Sequence, residues 1–214
     1  MARKADKGVV RGDPSRTRAL ILSAALKEFS ENGLGGARIE AIAGNAGVNK
    51  QALYYHFGSK EKLYQATLEY GYESLRILDK EAISGTSGPA ERMRALVGYF
   101  FDTMAGNRPV VWLVSEENRL RGRNLPLSPR IRDFTANFVS LIREIYDEGV
   151  EQKIFRPGID SEQLWITIVS VSYLYFGNIY TLSYIINKNL DDPKMLKARR
   201  DHIVDIVLLG IERR

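Results

Sequence analysis

The chain contains 214 residues, of which 44% are hydrophobic and 27% charged, and it carries a formal net charge of +5. This apolar content is enough to bury a core, which excludes a disordered chain. The absence of cysteine excludes disulfides, thiolate metal ligands and thiol nucleophiles. The charge is unevenly distributed, because residues 1–60 hold 10 Lys and Arg against 5 Asp and Glu, whereas residues 61–214 hold 21 of each kind. The N-terminal end is therefore expected to face a polyanion.

The N-terminal segment is expected to form an arm and then a helix. Residues 1–12 are charged and lack the apolar core of an export signal, so we interpret them as a flexible basic arm of a cytoplasmic protein. A first helix is predicted to begin near Asp13, with proline in its first turn, and to end at Asn32 and Gly33. Its apolar stripe consists of Leu22, Ala25, Leu26 and Phe29.

The segment 39–57 has the spacing of two short helices that cross at a steep angle. The helices are predicted at 39–46 and 50–57, with Gly47 in the turn between them and Asn49 as the N-cap of the second helix. If Leu53 and Phe57 fill the core, the outward face carries Lys50, Gln51, Ala52, Tyr54, Tyr55 and His56. In a helix-turn-helix protein, such a face meets the major groove of DNA.

The side chains on this face suggest specific contacts with DNA. Gln51 can read adenine, and Lys50 can bind guanine or a phosphate. Tyr54 and Tyr55 are better suited to phosphate hydrogen bonds and packing, and we expect one of them to be partly buried and the other to face DNA. For His56, packing against the next helix is as well supported as a DNA contact.

The rest of the chain is also helical in pattern. A long helix is predicted from residue 60 to about 83, followed by a flexible joint at 84–89. Further helices are predicted near 90–105, 109–121, 128–152, 161–188 and 193–212. The stretch 163–187 has no charged residue, but its serine, threonine and asparagine residues favour a buried helix over a membrane span. Since no strand-like alternation persists, we predict an all-α fold with an N-terminal three-helix domain and a larger helical domain.

Residues 43–63, AGNAGVNKQALYYHFGSKEKL, resemble the signature of the tetracycline-repressor family of transcription regulators. The resemblance covers about residues 15–65 and implies DNA contacts at the matching positions Lys50, Gln51, Ala52, Tyr54, His56 and Lys60. Lys60 stands at a helix N-terminus, where a phosphate is favoured. The chain departs from the family at Arg38, where a capping threonine is usual, at Asn49, where serine is common, and at Gln51, where glycine or proline is common. Asn49 can still cap its helix, whereas Arg38 is a candidate phosphate ligand.

The resemblance also implies a domain organisation, with a DNA-binding domain at 13–60 and a ligand-binding and dimerisation domain at 61–214. Candidate ligand-binding residues are Trp112, Glu116, Arg119, Trp165, Ser172, Tyr173, Phe176 and Tyr180, although aromatic residues at helical spacing more often form core. The segment 109–119 is similar to a subgroup that contains pyrimidine-sensing and nicotinate-pathway regulators.

A homodimer is expected to form through the two predicted helices at 161–188 and 193–212. Reading paired half-sites requires two copies of the motif, which favours this interpretation over one in which these helices form only monomer core. The last helix is expected to contribute Ile203, Ile206, Val207, Leu209 and Gly210 to the interface.

The resulting hypothesis is a ligand-responsive, sequence-specific regulator that a small molecule releases from a palindromic double-stranded DNA operator, with no cofactor, metal or membrane partner. A helical enzyme is one alternative, but the chain has only two histidines and no Gly-rich phosphate loop. Glu116 and Glu117 are adjacent, so on a helix their carboxylates point in different directions. A non-specific architectural DNA-binding protein is a second alternative, which would not need the large charge-neutral half.

Overall fold

The computed structural model describes residues 13–75, 83, 88–125 and 128–213. The predicted arm at 1–12 and most of the predicted joint at 84–89 lie outside these residues. The described part of the chain is helical, apart from connecting segments and an isolated antiparallel bridge between Phe155 and Glu212. The all-α prediction is confirmed.

The contacts divide the chain into two compact units, one ending at Thr67 and the other beginning at Leu68. This boundary lies inside a helix, seven residues after the helix begins at Lys60. The first unit contains α1 (Pro14–Gly36), α2 (Ile39–Ala46), α3 (Lys50–Phe57) and the beginning of α4 (Lys60–Ser74).

Helix α1 is the longest helix that lies wholly in the first unit. Asp13 caps it by accepting a hydrogen bond from the Ser15 N–H at 2.9 Å, and Pro14 occupies the first turn. Gly33 has φ 64° and ψ 174°, which interrupts the helix at the predicted end and leaves one further turn. The buried face of α1 packs against α2, and Phe29 meets Tyr64 edge to face with ring centroids 5.0 Å apart.

The second unit contains α5 (Pro89–Gly106), α6 (Arg108–Arg119), α7 (Pro129–Glu151), α8 (Ser161–Gly177), α9 (Ile179–Ile185) and α10 (Pro193–Ile211). Four of these six helices have proline in the first turn, where its missing N–H has no helical partner. Helix α5 is central and packs against α6, α7, α8 and α10.

The prediction of a single helix at 161–188 is wrong, because the structure has two helices, α8 and α9, in this segment. Asn178 has φ −122° and ψ 20°, outside the helical region, and separates α8 from α9. Its side-chain amide donates to the Leu174 carbonyl at 3.3 Å, and its backbone N–H donates to the same carbonyl at 3.2 Å. Among the described residues, no helix is long and apolar enough to cross a membrane. The helix predicted at 60–83 is described continuously only to Ser74, with a turn at Leu75.

Candidate DNA-binding helix and ligand cavity

The turn between α2 and α3 has the geometry that its sequence predicts. Gly47 lies in the left-handed region at φ 68°, where a side chain would be strained. The Val48 N–H donates to the Ala43 carbonyl at 3.0 Å, which closes the turn. Ala43 and Ala46 are buried, and their small side chains allow α3 to approach α2 closely.

The two short helices begin in different ways. Asn49 accepts a hydrogen bond from the Ala52 N–H at 2.8 Å, which confirms it as the N-cap of α3. Arg38 makes no side-chain cap for α2. Instead, the buried Glu28 of α1 accepts the Arg38 N–H at 2.9 Å, so a carboxylate stands at the positive end of α2. The side chain of Arg38 remains exposed.

Helix α3 buries one side and exposes the other. Leu53 and Phe57 are buried, and helical residues two positions apart differ by about 200° in direction, so Gln51 and Tyr55 point away from the core. Tyr55 is 87% exposed and Tyr54 is 41% exposed, so Tyr54 is the more covered of the two tyrosines.

The remaining predicted DNA-binding residues lie around this face. Lys50 is exposed, while Ala52 and His56 are half-buried on the opposite flank of α3. The centroid of the His56 ring is 5.5 Å from that of Tyr55 and 6.2 Å from that of Phe57. Lys60 is half-buried, and its ammonium donates to the Gly35 carbonyl at 3.3 Å. The predicted residues from 49 to 56 thus belong to one eight-residue helix and its cap.

Lys50 forms an ion pair that the sequence did not reveal. Its Nζ contacts Glu40 Oε1 in the first turn of α2. Hydrogen bonding to Glu40 raises the pKa of Lys50, and the same bond lowers the pKa of the Glu40 carboxyl. Both groups are therefore charged at physiological pH.

The second unit contains a cavity of about 290 Å³ between helices α4 to α8. Its wall is mainly apolar and aromatic, with hydroxyl groups from tyrosine and threonine. The lining residues are Tyr72, Leu75, Tyr99, Phe100, Thr103, Met104, Val110, Val111, Val114, Leu125, Ile131, Thr135, Phe138, Trp165, Val169 and Tyr173.

Two tyrosines make part of this wall polar while leaving it uncharged. The Tyr173 hydroxyl lies 2.6 Å from Ser115 Oγ, which itself donates to the Val111 carbonyl at 3.0 Å. Tyr173 must therefore donate to Ser115, and its own oxygen keeps acceptor capacity. Burial raises the pKa of Tyr72 to about 12, with smaller contributions from Tyr173 and Glu117. Tyr72 is therefore neutral at physiological pH.

Of the eight predicted ligand-binding residues, Trp165 and Tyr173 line the cavity. With Val169 they recur every four residues along α8, which places them on one side of the helix. Ser172 and Phe176 form a neighbouring row and are fully buried in the core. On α8 the sequence argument therefore selected two residues of the row that lines the cavity and two of the row that lies in the core, without separating the rows.

On helix α6, too, the residues that line the cavity are not the predicted ligand-binding residues. Val110, Val111 and Val114 line the cavity, whereas the predicted residues on this helix face another way. Trp112 stacks on the exposed Tyr180 at 6.2 Å, and Arg119 Nε donates to Glu116 Oε2 at 2.7 Å. These four predicted residues, Trp112, Glu116, Arg119 and Tyr180, lie outside the cavity wall.

The first unit has the architecture of a helix-turn-helix DNA-binding domain, and comparisons with known proteins identify its class. The family model for bacterial regulatory proteins of the tetR family matches residues 21–67. The model for the tetracyclin repressor-like C-terminal domain matches residues 89–207. The chain belongs to the tetR family, and it is a DNA-binding transcription regulator. The family resemblance of residues 43–63 is confirmed.

Individual relatives match along most of the chain. The HTH-type transcriptional repressor NicS of Pseudomonas putida is 32% identical over 206 residues, which cover 96% of this chain and 97% of NicS. The HTH-type transcriptional repressor SCO4008 of Streptomyces coelicolor is 41% identical over 75% of this chain and 78% of its own length.

Solved structures show the same fold at lower identity. The ketosteroid transcriptional regulator KstR2 of Mycobacterium tuberculosis has a TM-score of 0.70 at 23% identity, covering 97% of this chain and 98% of that one. FadR of Bacillus subtilis, solved in complex with stearoyl-CoA, has a TM-score of 0.68 at 20% identity, covering 91% of this chain and 99% of that one.

Proposed function

We propose that this protein is a homodimeric repressor that binds a palindromic DNA operator and is released from it by a small, largely apolar molecule. The observation that supports this proposal best is that one chain contains both an exposed helix-turn-helix face and a separate apolar cavity of about 290 Å³. A regulator that only occupied DNA would need no such cavity.

The contacts with the operator are proposed to come from α3 and its surroundings. Gln51 and Tyr55 point away from the core, so Gln51 is placed to read an adenine edge and Tyr55 to bind phosphate. The other contacts proposed are Arg38, Lys50, Tyr54, His56 and Lys60 for phosphates or bases, and Ala52 for a thymine methyl group. Asn49 acts by holding the first turn of α3 in place, since its side chain caps the helix.

The homodimer is proposed to form through α8 and α10. Leu174 on α8 is 56% exposed and Leu209 on α10 is 63% exposed, and Ile206 is also exposed, which is unusual for a surface that stays in water. Ile203 and Val207, also expected at the interface, are buried within one chain. The proposed interface is therefore narrower than the five residues that the sequence suggested on this helix.

The effector is proposed to be a small molecule with an aromatic or alicyclic body. The cavity volume is near the lower end of the range of about 300–1,000 Å³ for small-molecule sites. The Tyr173 oxygen can accept a hydrogen bond from a hydroxyl or N–H group of the effector. The relatives named for ketosteroid regulation and solved with stearoyl-CoA support an apolar effector for this chain as well.

Helix α4 is proposed to transmit the effect of ligand binding to α3. It is continuous from Lys60, which follows α3, to Tyr72, which lines the cavity. Gly71 lies beside Val110 of α6, and a Cβ there would be in van der Waals contact with Val110 Cγ1 at 3.4 Å. A ligand that displaces α4 in the second unit changes the position of α3 in the dimer. A coupling of about 1–3 kcal/mol would lower operator affinity about 5 to 150-fold.

The proposal is tested with an operator duplex selected from a random library by the full-length protein. Apolar compounds that raise the unfolding temperature are added to the complex, and release is measured by fluorescence anisotropy. Thr135→Trp, which fills the cavity, is expected to abolish release while leaving operator affinity unchanged. Release from Thr135→Trp equal to that from the wild type would contradict the proposed site. A light-scattering mass of one chain would contradict the dimer, and Leu209→Glu is expected to produce that mass.

A further inference from the structure

The ion pair between Glu40 and Lys50 joins the two helices of the helix-turn-helix. Glu40 is in the first turn of α2, and Lys50 is the first residue of α3. Their side chains remain 66% and 51% exposed, so the pair lies at the surface and not in the core. A positive side chain is disfavoured at the N-terminus of a helix, and the nearby carboxylate offsets this effect for Lys50.

The ion pair reduces the number of hydrogen-bond donors that Lys50 has available for DNA. An ammonium group has three hydrogen-bond donors, and Glu40 engages one of them directly. A phosphate that approaches Lys50 must compete with this carboxylate and also meets its negative charge. Non-specific DNA binding depends almost entirely on such phosphate contacts, whereas base contacts discriminate between sequences.

We propose that Glu40 is a specificity-determining residue, because it restrains Lys50 from binding the phosphates of arbitrary DNA; this inference rests on the DNA contact proposed above for Lys50. Lys50 then contributes to affinity mainly where the operator presents a base acceptor, such as guanine O6 or N7, beside the start of α3. Glu40 raises the ratio of operator affinity to non-specific affinity without contacting a base itself.

The test compares Glu40→Gln, Lys50→Gln and the double variant of the full-length protein. The probes are a duplex selected from a random library by the wild type and a scrambled duplex of the same composition, each titrated across a range of salt concentrations. Glu31→Gln is the matched control, since Glu31 is an exposed glutamate of the same unit that lies on α1. Circular dichroism and thermal unfolding establish that each variant is folded.

Glu40→Gln is expected to tighten binding to the scrambled duplex several-fold and to steepen its salt dependence by about 0.9 in the log–log slope, as for one added phosphate contact. Glu31→Gln should produce a smaller gain in affinity for the scrambled duplex. In the Lys50→Gln background, Glu40→Gln should produce no gain in this affinity. Lys50→Gln alone is expected to weaken the selected duplex more than the scrambled one.

Three results would overturn the proposal. If Glu40→Gln raised the affinity for the scrambled duplex equally in the wild-type and Lys50→Gln backgrounds, Glu40 would act by general repulsion of DNA. No change in binding to the scrambled duplex would mean that Glu40 does not restrain Lys50. If Lys50→Gln weakened both duplexes equally, Lys50 would be an ordinary phosphate ligand, and this result decides the question even if the Glu40 variant does not fold.

Discussion

The two units of this regulator obtain their functional surfaces in different ways. In the first unit, most of the predicted DNA-binding residues belong to the eight-residue helix α3 and its cap. In the second unit, the cavity wall is assembled from residues between Tyr72 and Tyr173, on five helices and in the segments that follow two of them. The first surface therefore depends mainly on local sequence, and the second depends on how distant segments pack.

The largest expected effect tests packing in the second unit. Gly149 lies against the buried ring of Phe155, and a Cβ at this position would overlap the ring. Gly149→Ala is expected to lower the free energy of unfolding by about 3 kcal/mol, because the Phe155 ring is buried in the core and stacked on Tyr146. Urea denaturation measures this loss. Gly106→Ala is the control, since a Cβ there meets nothing within 4 Å, and an equal loss in both variants would contradict the packing explanation.

The second prediction tests how far the first unit depends on local sequence. Glu28 is ten residues from Arg38 and accepts its N–H, so the start of α2 depends on α1. Glu28→Ala is expected to lower the unfolding free energy by about 2 kcal/mol, because it leaves this donor without its carboxylate. The control is Glu31→Ala on the exposed side of α1. If the two alanine variants were equally stable in urea, the cap from α1 would contribute nothing.

A smaller effect is expected at the local cap of α3. Asn49→Ala removes the acceptor of the Ala52 N–H and should cost about 1 kcal/mol of stability. Asn49→Ser keeps a capping oxygen and is expected to stay close to the wild type. Thermal unfolding followed by circular dichroism distinguishes the two variants, and equal stability of the alanine and serine variants would show that the cap is not needed.

The smallest effect is expected at Lys60. Lys60→Met should weaken binding to operator and scrambled DNA alike, by a few-fold, and reduce the salt slope by about 0.9, because it removes the proposed phosphate contact. Lys62→Met removes the same charge from an exposed position nearby and serves as the control. Anisotropy titrations at several salt concentrations measure both slopes, and identical slopes for the two variants would argue against a specific role for Lys60.

The sequence was sufficient for the parts of the fold that neighbouring residues determine. The bounds of α2 and α3 agree with the prediction because Gly47 and Gly58, both at positive φ, end these helices and Asn49 starts the second. The break at Asn178 escaped prediction although Gly177 and Asn178 are the residue types that end the first helix at Asn32 and Gly33, because apolar residues continue on both sides of this pair. The apolar stripe of α1 did contain a signal for the cap of α2, since Glu28 is a charged residue beside Phe29 on a buried face.

The cavity required the tertiary structure. Residue type alone favoured Phe176 and Trp112, but the first lies in the core and the second stacks on Tyr180. The spacing of Trp165 and Tyr173, eight residues apart on α8, was visible in the sequence. Which row of α8 faces the cavity depends on its packing against α6 and α7, and the sequence does not specify that packing.

The most direct test of the central claim, that α3 reads DNA sequence, is a comparison of operator and scrambled duplexes for the wild type and Gln51→Ala. The wild type should bind the operator far more tightly than the scrambled duplex. Gln51→Ala should lose about 1–3 kcal/mol of binding free energy on the operator and nothing on the scrambled duplex, since its exposed amide is proposed to contact only bases. Equal binding of both duplexes by the wild type, or an equal loss on both in the variant, would contradict sequence reading by this helix.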